Sequence, residues 1–117
     1  MTTLIVLFNL KEGQSEADYE KWAKEEDIPT AGGLASIEDF KVYRAESVFG
    51  SDDPPPYRYV EIIAITSAEA LGKEVGATPA MADISAKFQA FADNPAMLED
   101  VLAVLFSIAR AEFAPVN

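Results

Sequence analysis

The sequence predicts one α+β domain with the element order β-α-β-β-α-β. Three observations predict it. Thr3–Leu10 is a short β-branched and aromatic run, too brief for a helix and apolar at both parities. Ile37–Phe49 and Tyr57–Ile65 are two further strand-like runs joined by "GSDDPPP", a loop by composition. Two segments with helix-start signals and apolar residues at helical spacing fill the gaps on either side of that hairpin.

Taken in order, the first strand places Leu4, Val6, Phe8 and Leu10 on one face and Ile5 and Leu7 on the other. Burial on both faces demands two covering layers. After Gly13, Ser15 is placed to cap a helix, with Asp18 three residues on. Tyr19, Trp22, Ala23 and Glu26 share its inner face, and Asp27 and Pro29 are expected to end it, because the residue before proline is pushed out of the α region. Thr66-Ser67-Ala68-Glu69 is a capping box that opens a helix running to Gly76, and Thr78-Pro79 starts another. Met81, Ile84, Phe88 and Phe91 form its apolar stripe. Asn94-Pro95 is read as its stop, Ala96–Asp100 as a turn and Val101–Phe113 as the last strand.

This order is the ferredoxin-like split βαβ arrangement, a four-stranded antiparallel sheet with both helices on one face. The apolar residues on the opposite face call for a twin subunit, so the expected assembly is a homodimer, a dimeric α/β barrel.

Composition narrows the chemistry. At 117 residues the whole chain, 1–117, is read as a single domain, and 50% of it is hydrophobic, enough to build a core. With no cysteine and no histidine, the chain lacks thiol nucleophiles, Ser-His-Asp and Cys-His sites, His-bound zinc and His-ligated haem. Proton transfer then falls to Asp, Glu, Tyr or Lys. A net charge of −11 repels phosphate backbones and anionic lipid, which argues against nucleic-acid and membrane partners. Thr3–Leu10 is too short to span a bilayer and no basic residues precede it, so a cytoplasmic location is expected. Asp52-Asp53 reads as loop, and neither a metal nor a cofactor is expected.

Three stretches carry a family resemblance: "DIPTAGGLASIEDFKVYR" (Asp27–Arg44), "YRYVEII" (Tyr57–Ile63) and "FQAFADNPAM" (Phe88–Met97). They resemble the RedY-like branch of the dimeric α/β-barrel superfamily, whose members accompany prodigiosin-type pigment clusters, and are more distantly similar to EthD-type proteins. The resemblance implies the fold and the dimer. It brings no established reaction. Several relatives in the wider superfamily use a histidine, which this chain lacks; Glu25, Glu26 and Asp27 occupy the corresponding neighbourhood at the helix end.

Two acids are candidate catalytic residues. Asp27 reads either as a carboxylate at the mouth of a cavity between helices and sheet, or as a loop residue accepting from the Thr30 N–H in an Asx-type turn. Glu61 stands mid-strand on the face of Tyr57, Tyr59, Ile63 and Ile65. It is either the buried partner of Arg44 or a base with a raised pKa. Candidate ligand contacts are Asn9, Trp22, Tyr43, Arg44 and Tyr59. Each also has a structural reading: backbone bonding for Asn9, an ion pair for Arg44 and core packing for the aromatics. The functional expectation is an apolar, aromatic-lined pocket for a hydrophobic ring-containing metabolite. It is served by a cofactorless enzyme, a carrier, or neither if side chains fill it.

Overall fold

The computed structural model describes residues 2–98 and 111–117. Among the described residues five strands form one antiparallel sheet in the order β4-β1-β3-β2-β5. Strand β1 is Thr2–Leu10, β2 Ile37–Val48, β3 Tyr59–Ile65, β4 Ala92–Leu98 and β5 Ala111–Pro115. The fold class is the ferredoxin-like one expected, with a fifth strand added along β2. Chain reversal after β2 starts at Gly50, whose φ of 75° lies in the left-handed region that glycine enters without a Cβ penalty.

Where the first helix ends differs from expectation. Helix α1 spans Glu16–Trp22, with the Ser15 side chain accepting from the Asp18 N–H. A π-helical turn, Ala23–Asp27, follows, and then a short α2, Ile28–Ala31. The Ile28 N–H bonds the Ala23 carbonyl, a five-residue span. Pro29 therefore falls in the first turn of α2, where its missing N–H costs little, and the helical path continues for one more turn. Continued helical spacing puts Asp27, rather than Glu26, on the buried stripe with Tyr19, Trp22, Ala23 and Ala31. Glu26 instead accepts from Lys87 at 2.8 Å.

Helix α3, Ala68–Ala77, is capped by Ser67, whose side chain accepts from the Ala70 N–H. The capping residue is thus one position later than the Thr66 expected. Helix α4, Pro79–Phe91, buries Met81 and Ile84, and Phe88 and Phe91 pack against the same core. The segment read as a stop and turn is the edge strand β4. Asn94 takes a φ of 42°, and the pairing with β1 shifts register between Leu7 and Asn9. Asparagine tolerates the left-handed conformation, so Asn94-Pro95 forms a bulge within a strand. The last strand expected over Val101–Phe113 lies largely outside the described residues. Described pairing resumes at Ala111 and runs antiparallel to β2.

Two apolar clusters lie on opposite faces of the sheet. The larger, between sheet and helices, is anchored by Phe8, which is fully buried. Its ring stacks on Tyr59 at 5.4 Å and meets Tyr19 and Phe88 edge-on at 5.4 and 5.0 Å. The smaller contains Ile5, Leu7 and Val60, with Tyr43, Tyr57 and Ile62 packed against it. Truncating Phe8 removes the shared neighbour of three rings. Phe8→Ala is expected to lower unfolding stability by about 3–5 kcal/mol, read from denaturant titration. A loss under about 1 kcal/mol would show that the ring cluster does not depend on it.

Candidate active site

Glu61 sits on the central strand β3, paired with Val6 of β1 on one side and Val42 of β2 on the other. Both neighbours are buried, and Glu61 itself is only 4% exposed. Strand alternation sends its side chain to the helix-covered face along with Tyr59, Ile63 and Ile65. Asp27, also 4% exposed, comes to the same region from the π-helical turn. The two carboxylates line one cavity of about 290 Å³. Its walls are apolar: Leu4, Val6, Phe40 and Ile63 from the sheet, with Leu71, Val75, Met81, Ile84 and Phe88 from α3 and α4. Ser85 adds a hydroxyl.

Electrostatics follow from that setting. Burial pushes Asp27 up from 3.8 to about 7. Glu61 is held well above the ordinary carboxylate range, by burial first and then by the charge of Asp27. Like charges in an apolar wall cannot both ionise cheaply, so the pair carries a proton at neutral pH. Tyr19 belongs to this neighbourhood: its phenol is pushed up by burial and then by the charges of Glu61 and Asp27. The Tyr19 hydroxyl and the Trp22 Nε1 are buried and have no hydrogen-bond partner among the described residues.

The remaining candidates lie elsewhere. Arg44 does not meet Glu61. The strand register sets it opposite Tyr59, and its guanidinium reaches Glu20 at 2.7 Å and Glu46 at 2.9 Å. Tyr59 also donates to Glu20, at 2.7 Å, so Arg44 and Tyr59 converge on helix α1. Among the described residues Asn9 bonds backbone, donating to the Pro56 carbonyl at 3.1 Å and accepting from the Arg58 N–H at 2.8 Å. Tyr43 packs on the opposite sheet face with the smaller cluster. Trp22 packs against Tyr19 and Phe91, with ring centroids at 6.1 and 5.5 Å. None of these five is among the described residues lining the cavity.

Sequence reasoning missed the contribution of α3 and α4 as cavity wall and the proximity of Tyr19. The stripe of Met81, Ile84, Phe88 and Phe91 is legible as an apolar helix face, which by itself does not tell packed core from cavity wall. Its signal was the unpaired acid opposite: a carboxylate on the sheet face that the stripe covers. Among the described residues no group of three His, Cys, Asp or Glu side chains is placed to hold a metal ion. Nor is any described helix long and apolar enough to cross a membrane.

The sheet order and the helices on one face define an α+β protein of ferredoxin-like fold. The chain belongs to the REDY-like HapK family, whose model, described as REDY-like protein HapK, matches residues 2–101. The crystal structure of HapK from Hahella chejuensis superposes with a TM-score of 0.67 at 28% identity, covering 86% of this chain and 93% of that one. An ethyl tert-butyl ether d (EthD) family protein from Bacillus halodurans is similar at a TM-score of 0.63 and 16% identity, over 86% of this chain and 99% of the other. A dimeric ferredoxin-like protein of unknown function from Thermobifida fusca is similar at 0.60 and 8% identity, over 82% and 85% of the two chains. At these last two identities the likeness is one of fold. No curated protein matches the chain.

The raised carboxyls set a pH dependence of stability. An acid whose folded pKa exceeds its unfolded value costs nothing below the unfolded value and destabilises increasingly as pH rises through the folded one. For Asp27 that window runs from 3.8 to about 7. Asp27→Asn removes the effect. The variant is expected to match wild type near pH 4 and to exceed it above pH 7 by a few kcal/mol, as measured by denaturant unfolding across that range. Equal pH slopes for the two proteins would show that Asp27 titrates normally.

Proposed function

We propose that this protein is a cofactorless proton-transfer enzyme that acts as a homodimer on a hydrophobic, ring-containing metabolite. The observation that carries the reading is the pair Asp27 and Glu61, both buried and both lining one apolar cavity. A protonated carboxyl can donate a proton while its ionised neighbour accepts one, and a pKa near the working pH suits both tasks. The apolar walls favour a flat hydrophobic ligand, and the resemblance to proteins accompanying pigment clusters supports a substrate from secondary metabolism. Oxygenation, isomerisation and cyclisation can each begin with such a proton abstraction. The Glu20–Arg44–Tyr59 network braces α1 against the sheet, on which the placement of Asp27 depends.

The assembly reading draws on the second sheet face, with its Ile5, Leu7 and Val60 cluster, and on a neighbour described as dimeric. Sedimentation equilibrium at micromolar concentration is expected to give twice the 12.7 kDa chain mass. A single-chain mass would remove this part of the proposal.

A buried base in an apolar cavity is testable without the natural substrate. 5-Nitrobenzisoxazole loses its C3 proton to a general base as its N–O bond breaks, giving a coloured cyanophenolate. The wild-type protein is expected to exceed acetate at equal carboxylate concentration, with a rate that rises with pH through about 7 as the pair becomes ionised. Asp27→Asn and Glu61→Gln should each lower it by about 100-fold or more. A rate no better than acetate, or one unchanged in both variants, leaves a carrier or a purely structural module as the better description.

A further inference from the structure

We infer that the cavity between α3, α4 and the sheet selects a ligand with a basic nitrogen, a protonated amine or amidine on an apolar ring body. The inference rests on the reading of this cavity as a ligand site and specifies the ligand's charge.

Three observations lead there. First, Asp27 and Glu61 are each 96% removed from solvent and line the same cavity, whose other described lining side chains are apolar except Ser85. Ionised carboxylates in such walls need a compensating charge. Second, no Lys or Arg is found among the described lining residues. The described cations around the helix layer are engaged elsewhere: Lys87 with Glu26 and Asp83 at 2.8 and 3.3 Å, Arg44 with Glu20 and Glu46, and Arg58 with Glu16 at 2.6 Å. A cationic ligand can supply the missing charge. Third, the net charge of −11 draws cations toward the protein and repels anions. A carboxylate of the same shape would bring a further negative charge to a pair that cannot hold even its own two ionised, and a neutral molecule would leave any charge on the pair uncompensated. On binding, the ammonium or amidinium replaces the proton held by the pair, and that proton leaves to solvent. The carboxyl O–H is the only bond broken, its electron pair stays on the oxygen, and the buffer base takes up the proton.

A matched trio of probes tests this: 2-phenylethylamine, 2-phenylethanol and phenylacetate, titrated calorimetrically at pH 7 in two buffers of different ionisation enthalpy. The amine is expected to bind at least about ten-fold tighter than the alcohol, with proton release visible as a buffer-dependent heat, and phenylacetate is expected not to bind. In Asp27→Asn and Glu61→Gln the ratio of amine to alcohol affinity should fall to about one. Equal affinity for amine and alcohol, preference for phenylacetate, no binding by any probe, or an amine preference that survives both substitutions overturns the inference. The nitrobenzisoxazole assay keeps the two proposals apart. Amine selectivity without turnover sinks only the catalytic reading, and turnover without amine selectivity sinks only this one.

Discussion

The register of β3 holds the site in place. Glu61 is fixed between Val6 and Val42 by two antiparallel ladders, so only a one-residue slip would turn its side chain off the helix-covered face. Such a slip would turn Tyr59, Ile63 and Ile65 away from the helices as well, dismantling the larger core. The cost of a buried acid is thereby carried by hydrophobic contacts all along the sheet. Those contacts are many and the acid is one, so the fold tolerates it.

The aromatic cluster and the cavity divide the helix-covered face between them. Phe8, Tyr19 and Tyr59 fill the space under α1 with close ring contacts. Toward α3 and α4 aliphatic side chains dominate, with Phe40 and Phe88 among them, and the packing opens into the space of about 290 Å³. Asp27 stands where the two regions meet, on the buried stripe of the first helix and at the cavity wall. The rigid half positions the acid, and the open half leaves room for something to meet it.

Much of this was legible in the sequence, for identifiable reasons. Strand alternation grouped Glu61 with Tyr59, Ile63 and Ile65 but did not say which face of the sheet they share, and the two-sided apolar character of Thr3–Leu10 anticipated clusters on both sides of the sheet. Asp27 and Glu61 were singled out as acids in the wrong surroundings, and the structure brings them to one cavity. Other features were hidden because they depend on cross-strand register or on irregular backbone. Arg44 was matched with Glu61 by strand adjacency, but the ladder offsets them and Glu20 on a helix is closer. Asn94-Pro95 has the composition of a turn, and only the pairing of both flanks with β1 reveals a bulge. Pro29 reads as the stop of the first helix, but it falls in the first turn of α2, after a π-helical turn closed by the Ile28 N–H on the Ala23 carbonyl.

That widened turn also bears on how the acid arose and what can be done to it. A π-helical turn is an ordinary helix with one residue too many, tolerated where the surplus amino acid is useful. Removing any single residue between Ala23 and Asp27 would restore the regular winding and swing everything beyond it by about 100° around the helix axis. Chain length over this one turn, rather than the identity of any side chain, therefore decides which residue looks into the interior.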